Sequence, residues 1–182
     1  MNGADASAAG APASDRPVLV LVGPPGAGKS TIGRLVASRL GLPFSDTDDM
    51  VVEADGRSVS DIFVEDGEPV FRELERAAVL QALCRPGVVS LGGGAVMDPR
   101  TQADLAEHRV VFLDVRIADA AGRVGFNASR PLLSVNPRAQ WTALMTERRP
   151  VYERVSRARV DTAGRAPDDI ADEVVTHVGT HA

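Results

Sequence analysis

Gly23-Pro24-Pro25-Gly26-Ala27-Gly28-Lys29-Ser30, followed by Thr31, has the composition and spacing of a loop that wraps phosphates. Its glycines let backbone N–H groups turn inward around an anion, and a helix starting at Lys29 adds the positive end of its dipole. Lys29 supplies a mobile point charge for the β and γ phosphates of a nucleotide, and the Ser30 hydroxyl is a ligand for Mg²⁺. Lys29 is also the only lysine among the 20 basic residues of the chain. Arginine serves at every other basic position, and the one compact ammonium stands where a planar guanidinium fork fits badly. Gly26, Ala27, Gly28, Lys29, Ser30 and Thr31 are therefore the candidate contacts to ATP. A base-reading motif of Asn-Lys-x-Asp type is impossible without a second lysine, so a GTPase is disfavoured and a small-molecule kinase is favoured.

A kinase needs an acceptor site, and four further groups of residues can build one. Asp46-Thr47-Asp48 closes a candidate strand next to the one that delivers the loop. Ligands in doubly wound sheets bind beyond the carboxyl ends of strands. One carboxylate can serve Mg²⁺ and the other can accept a proton or hydrogen bond from an acceptor hydroxyl. Asp48 and Asp49 equally suit caps of the next helix. Arg72 and Glu75 stand three apart on a helical segment, so Glu75 can brace Arg72, whether at a site or as a plain surface ion pair. Gly92-Gly93-Gly94 follows an apolar strand and offers bare backbone N–H groups, or only a flexible turn. The segment 122–137 holds Arg123, Asn127, Arg130 and Pro131 without clear period, as a lid carrying an arginine or as a surface loop. Arg148 and Arg149 end a helix opening at Asn136 and Pro137. Successive helical residues diverge by about 100°, so at most one of the two faces a pocket squarely and the other is solvated or meets the helix's last carbonyls.

These groups have to be carried by a scaffold, and the hydrophobic pattern indicates which. Apolar runs at Val18–Val22, Val88–Leu91 and Val110–Val115, with weaker ones at Pro43–Ser45 and Ala158–Val160, alternate with segments of helical period. Near-continuous apolar strands imply burial on both faces, and their alternation with helices implies parallel crossovers. Ile32, Leu35, Val36 and Leu40 keep helical spacing until Gly41 and Pro43 stop it. Val70, Phe71, Leu74, Ala77, Ala78 and Leu80 form one stripe between Glu68 and Leu83. Asp98 before Pro99 and Asn136 before Pro137 read as N-caps, and Pro167 opens a last helix through Val178. The fold class is an α/β doubly wound domain.

Length and charge narrow the partners. At 182 residues the chain fits one domain, spanning 17–182 after an Ala/Gly/Ser-rich tail over 1–16 expected to be disordered. A net charge of −5 argues against nucleic-acid binding by bulk electrostatics. No apolar run is long enough for a membrane helix, and the lone Cys84 suits a reducing compartment, so the expectation is a cytoplasmic protein.

The ordered set GPPGAGKST, DTD, FRxxE, GGG and RPLL, then Arg148, Pro150 and Tyr152, resembles the shikimate kinase family over Val18 to Pro167. The resemblance implies a P-loop kinase fold similar to nucleoside monophosphate kinases: a five-stranded parallel sheet of order 2-3-1-4-5 flanked by helices, a substrate-binding region at about 46–80 and a lid at about 122–137. It implies transfer of the ATP γ-phosphoryl group to the 3-hydroxyl of shikimate on the way to aromatic amino acids, with one Mg²⁺, in a monomer. By position in the family pattern, Arg72 and Arg148 hold the shikimate carboxylate. Gly93, Gly94 and Asp48 hold the ring hydroxyls, with Asp48 as base or orienter. Asp46 acts with Ser30 on Mg²⁺; Arg130 is the lid arginine; Arg123, Arg165 and Pro167 flank adenine. The tail before Asp15 lies outside the resemblance, and Phe126 is bulkier than the family's lid pattern. Another small-metabolite kinase of the same fold and a non-catalytic ATP-binding regulator are the competing readings. The pair Arg72 and Arg148 around Gly93 weighs against the first, and the intact set Lys29, Asp46, Asp48 and Arg130 against the second.

Overall fold

A computed structural model describes residues 16–124 and 137–179. Five strands, β1 (Pro17–Val22), β2 (Phe44–Asp46), β3 (Gly87–Ser90), β4 (Val110–Asp114) and β5 (Ala158–Asp161), form one sheet in the order β2-β3-β1-β4-β5. Every pairing is parallel, so all five carboxyl ends open on the same edge. This is the expected topology. Its cause is visible in the strands: Leu19, Val20 and Leu21 of β1 and Val110, Phe112 and Leu113 of β4 are fully buried, which requires cover on both faces.

Eight helices among the described residues supply that cover: α1 (Lys29–Leu40), α2 (Thr47–Asp55), α3 (Val59–Glu65), α4 (Gly67–Leu83), α5 (Pro99–Leu105), α6 (Ile117–Val124), α7 (Pro137–Val155) and α8 (Pro167–Gly179). Helices α1 and α8 pack against each other, and α4, α5 and α7 meet around a 3₁₀ turn at Ala95–Met97. A second, smaller apolar cluster of Val51, Ile62, Phe71 and Ala78 joins α2, α3 and α4, with the Phe63 and Phe71 rings 4.6 Å apart. It gives the segment after β2 a core of its own. Among the described residues no helix is long and apolar enough to cross a membrane.

Several local expectations hold and others need correction. Gly41 ends α1 in the left-handed region, and Asp98 caps α5 with its carboxylate accepting from the Arg100 N–H at 2.8 Å. The cap of α2 is Asp46, not Asp48 or Asp49: its carboxylate accepts from the Asp48 N–H at 3.0 Å. Asp48 and Asp49 instead fill the first turn, where the helix dipole favours negative charge. Helix α3 has no counterpart among the elements expected from the apolar pattern, although Ser58 and Asp61 form a reciprocal cap in which Asp61 N donates to Ser58 Oγ at 3.1 Å and Ser58 Oγ donates to Asp61 Oδ2 at 2.6 Å.

The helix opening at Pro137 does not end at Arg148-Arg149 but continues through Pro150 to Val155. Pro150 removes one N–H that would bond to the Thr146 carbonyl. Burial of Met145, Val151 and Tyr152 on either side keeps the helix continuous across that gap. The expected cap Asn136 lies outside the described residues, as do 1–15 of the expected tail; Arg16 pairs with Glu107 at 2.8 Å. The expected lid starts inside α6, and residues 125–136, with Phe126, Asn127, Arg130 and Pro131, lie outside the described residues.

Candidate active site

The phosphate loop connects β1 to α1 at the centre of the sheet's carboxyl edge. Gly26 and Gly28 have φ of 81° and 87°, backbone conformations that cost a side-chain-bearing residue but not glycine. Gly28 is the N-cap of α1, so Lys29, Ser30 and Thr31 form its first turn. Lys29 Nζ donates to the Gly23 carbonyl at 2.9 Å and to the Pro24 carbonyl at 3.2 Å, which folds the ammonium back over the mouth of the loop. Ser30 Oγ donates to Asp46 Oδ2 at 2.6 Å, joining α1 to the end of β2. A hydroxyl and a nearly buried carboxylate held this close are hard oxygen donors of the kind Mg²⁺ takes, leaving its remaining positions to phosphate and water.

Beside the loop lies a cleft of about 510 Å³, a size that suits a small metabolite. Asp48, Arg72, Gly93, Gly94 and Arg148 all line it, with Pro25 of the phosphate loop at one wall and Phe71 and Leu144 among its apolar neighbours. The residues expected to hold the acceptor are thus brought together from α2, α4, the loop after β3, and α7.

Each glycine of the run 92–94 is fitted to a neighbour. Thr47, fully buried, accepts the Gly92 N–H on Oγ1 at 2.8 Å. A Cβ on Gly92 would stand 2.5 Å from both Asp48 Oδ1 and Glu75 Oε1; one on Gly93 would stand 3.2 Å from Pro25 Cδ. At Gly94 it would overlap Arg72 Nη1 and lie 2.8 Å from Arg72 Cζ. The guanidinium therefore lies against bare backbone, and glycine is needed for the close approach.

Arg72 is held on both sides, donating to Glu75 Oε2 at 2.7 Å and to Glu68 Oε1 at 2.7 Å, with its guanidinium 5.4 Å from the Phe71 ring centre. The expected brace from Glu75 is present, and Glu75 is only 3% exposed. Burial pushes the Glu75 carboxyl above its ordinary range, against the pull of Arg72, and the nearby Asp48 adds to the rise. Burial disfavours the Arg72 cation, but Glu75 and Glu68 more than offset it.

Of the paired arginines, Arg148 lines the cleft, and its buried Nε has no hydrogen-bond partner among the described residues. Arg149 turns away; its side chain stays about a third exposed, 34%, but its partner is a carboxylate rather than the helix's carbonyls. It donates through two nitrogens to Asp114 at 2.8 and 2.7 Å, over the Phe112 ring. Asp114 is 4% exposed at the end of β4, and a fork-to-carboxylate pair there outweighs weak carbonyl contacts. Arg165 donates to the Asp161 and Asp169 carbonyls and pairs with Glu173 at 2.6 Å, and Pro167 opens α8. Both stand beyond β5, away from the acceptor cleft. Arg123 lies on α6, and Arg130 is outside the described residues.

Two residues of the sequence pattern have contacts that sequence reasoning did not assign. Thr47 holds the glycine run through the Gly92 N–H, and its signal in the sequence is its place between Asp46 and Asp48. Tyr152, fully buried, donates its hydroxyl to the Gly93 carbonyl at 2.5 Å.

Comparison with known proteins accords with this geometry. The shikimate kinase family model matches residues 25–179. A shikimate kinase of Streptomyces avermitilis is 55% identical over 87% of this chain and 94% of its own length, and one of Thermobifida fusca is 53% identical over 87% and 93%. The solved structure of a shikimate kinase from Acinetobacter baumannii in complex with shikimate superposes with a TM-score of 0.83 at 31% identity, covering 90% of this chain and 93% of that one. With the phosphate loop, the paired aspartates and the arginine-lined cleft in one continuous match, this chain belongs to the shikimate kinase family.

Proposed function

We propose that this chain transfers the γ-phosphoryl group of ATP to the 3-hydroxyl of shikimate, giving shikimate 3-phosphate and ADP. The observation that carries the reading is the cleft in which Asp48, Arg72, Arg148 and the Gly93-Gly94 backbone converge one loop away from Lys29 and Ser30. Arg72 and Arg148 offer two cations to one planar carboxylate, the recognition for which guanidinium groups are best shaped. The backbone of Gly93 and Gly94 and the Asp48 carboxylate take the ring hydroxyls. Asp48 orients the 3-hydroxyl for attack and accepts its proton as the O–P bond forms and the bond to the ADP oxygen breaks.

The phosphate loop holds the β and γ phosphates through backbone N–H groups, and Lys29 moves from the Gly23 and Pro24 carbonyls to the phosphate oxygens. Ser30 and Asp46 are the residues that would hold Mg²⁺. When bound, it neutralises charge on the β and γ oxygens. Arg130 serves the transferring phosphoryl from the lid, and Arg123, Arg165 and Pro167 border adenine. The enzyme works as a cytoplasmic monomer without nucleic-acid or membrane partners; the free, exposed Cys84 suits that compartment.

The test is ADP release from ATP and Mg²⁺ with shikimate, without acceptor, and with gluconate. Fast release with shikimate alone supports the reading. No shikimate-dependent release from folded, ATP-binding protein contradicts it.

A further inference from the structure

Tyr152 belongs to the late sequence pattern yet has no part in the phosphoryl transfer described above. Its ring is fully buried and stacks on Phe112 of β4, with centroids 5.2 Å apart and planes inclined by 24°. Its hydroxyl donates to the Gly93 carbonyl at 2.5 Å. Tyr152 follows Arg148 by four residues on α7, so the two occupy neighbouring turns of one helix face.

A trans peptide is planar, with its C=O and N–H pointing in opposite directions. There are no cis bonds among the described residues, so a tyrosine that holds the Gly93 oxygen on one side also aims the Gly94 N–H to the other. Gly94 lines the acceptor cleft and lies against the Arg72 guanidinium. One hydroxyl therefore ties the helix bearing Arg148 to the peptide unit that presents Gly94.

We propose that Tyr152 is a positioning residue for the acceptor: its hydroxyl sets the Gly93-Gly94 peptide and keeps it in register with Arg148 across the cleft. The proposal rests on the shikimate kinase reading above. Without the hydroxyl, the buried Gly93 carbonyl loses this donor and the peptide loses the bond that holds its oxygen, although the Gly92 and Gly94 carbonyls on either side remain bonded to Ala95 and Met97; the ring still packs on Phe112.

Tyr152→Phe removes the oxygen alone. Measured as steady-state ADP release on the full chain, it is expected to raise the KM for shikimate about tenfold and leave the KM for ATP within about twofold. Phe112→Leu weakens the packing of the same ring but keeps the hydroxyl bond. It is expected to lower the melting temperature with the shikimate KM within about twofold of wild type. An unchanged shikimate KM in Tyr152→Phe overturns the proposal. So does an equal rise in both KM values, an equal shikimate effect in Phe112→Leu, or failure of Tyr152→Phe to fold, because each reduces the hydroxyl to a packing element. Wild-type protein is the control for the underlying reading: if it releases no ADP with shikimate, that reading falls and takes this proposal with it. An active wild type with an unaffected Tyr152→Phe removes only the proposal.

Discussion

Ser30 Oγ and Asp46 Oδ2 are 2.6 Å apart although the residues belong to different elements, one in the first turn of α1 and the other at the end of β2. The second Asp46 oxygen, Oδ1, accepts the Asp48 N–H at 3.0 Å and so caps α2. One carboxylate thus accepts from Ser30 of α1 on one oxygen and fixes the backbone of Asp48 with the other.

Asp46→Asn separates those tasks. Asparagine caps a helix about as well as aspartate and retains Oδ1 as an acceptor, so the melting temperature should stay within a few degrees of wild type. The lost charge faces the Ser30 side. Turnover is expected to fall about tenfold or more, and the Mg²⁺ concentration giving half-maximal rate should rise. Titrating Mg²⁺ in the ADP-release assay checks this; an unchanged Mg²⁺ dependence would mean that Asp46 is a cap only.

Lys29→Arg keeps the charge and changes its shape. A broad guanidinium cannot occupy the position from which Nζ reaches the Gly23 and Pro24 carbonyls, nor follow the phosphates in the same way. A fall in kcat of about a hundredfold is expected, with the circular dichroism spectrum unchanged. Near-normal turnover would remove Lys29 from its assigned role.

Gly94→Ala tests the carboxylate clamp without touching an arginine. The Gly94 φ of −100° is open to alanine, so the backbone is not strained, but the new methyl group overlaps Arg72 Nη1. Glu68 and Glu75 pin the guanidinium, so it yields only by leaving its place. The shikimate KM should rise about tenfold or more with the ATP KM nearly unchanged, as in Arg72→Ala. Equal rises for both substrates would count against an acceptor role for this edge of the cleft.

Glu75 makes a prediction about pH. Its folded pKa is raised above 4.5, by burial first, so the folded protein holds that proton more tightly than the unfolded chain. The contribution is full below 4.5 and is lost as pH rises through the higher folded value. Glu75→Gln cannot ionise and lacks this loss. Its melting temperature relative to wild type should therefore be more favourable at pH 7 than near pH 4.5, with unfolding scans at both values as the measurement. A difference that is constant, or that runs the other way, would contradict the direction of the shift.

The parts of this molecule written in local patterns are legible in the sequence alone. The three inner strands announce themselves as apolar runs because the sheet is covered on both faces there, the edge strands β2 and β5 are fainter because they are only partly buried, and the phosphate loop is a contiguous motif whose context of strand and helix is also local. The parts that escape depend on pairs distant along the chain. Thr47 meets Gly92, Arg149 meets Asp114 and Tyr152 meets Gly93 only after the crossovers bring β2, β3, β4 and α7 to one edge. Arg149 illustrates the point: helical geometry correctly allows only one of the two arginines into the cleft, but nothing near it in sequence names Asp114 as the partner of the other. Pro150 misleads for the opposite reason, since its local rule ends helices and the burial of Val151 and Tyr152 overrides it.

The most direct test of the central claim is the identity of the product, followed by phosphorus NMR on a reaction of this chain with ATP, Mg²⁺ and shikimate. The account predicts one new phosphate monoester, formed in equal amount with ADP and coupled to the proton on carbon 3 of the ring. A phosphate on another hydroxyl, or free inorganic phosphate with shikimate unchanged, would contradict it.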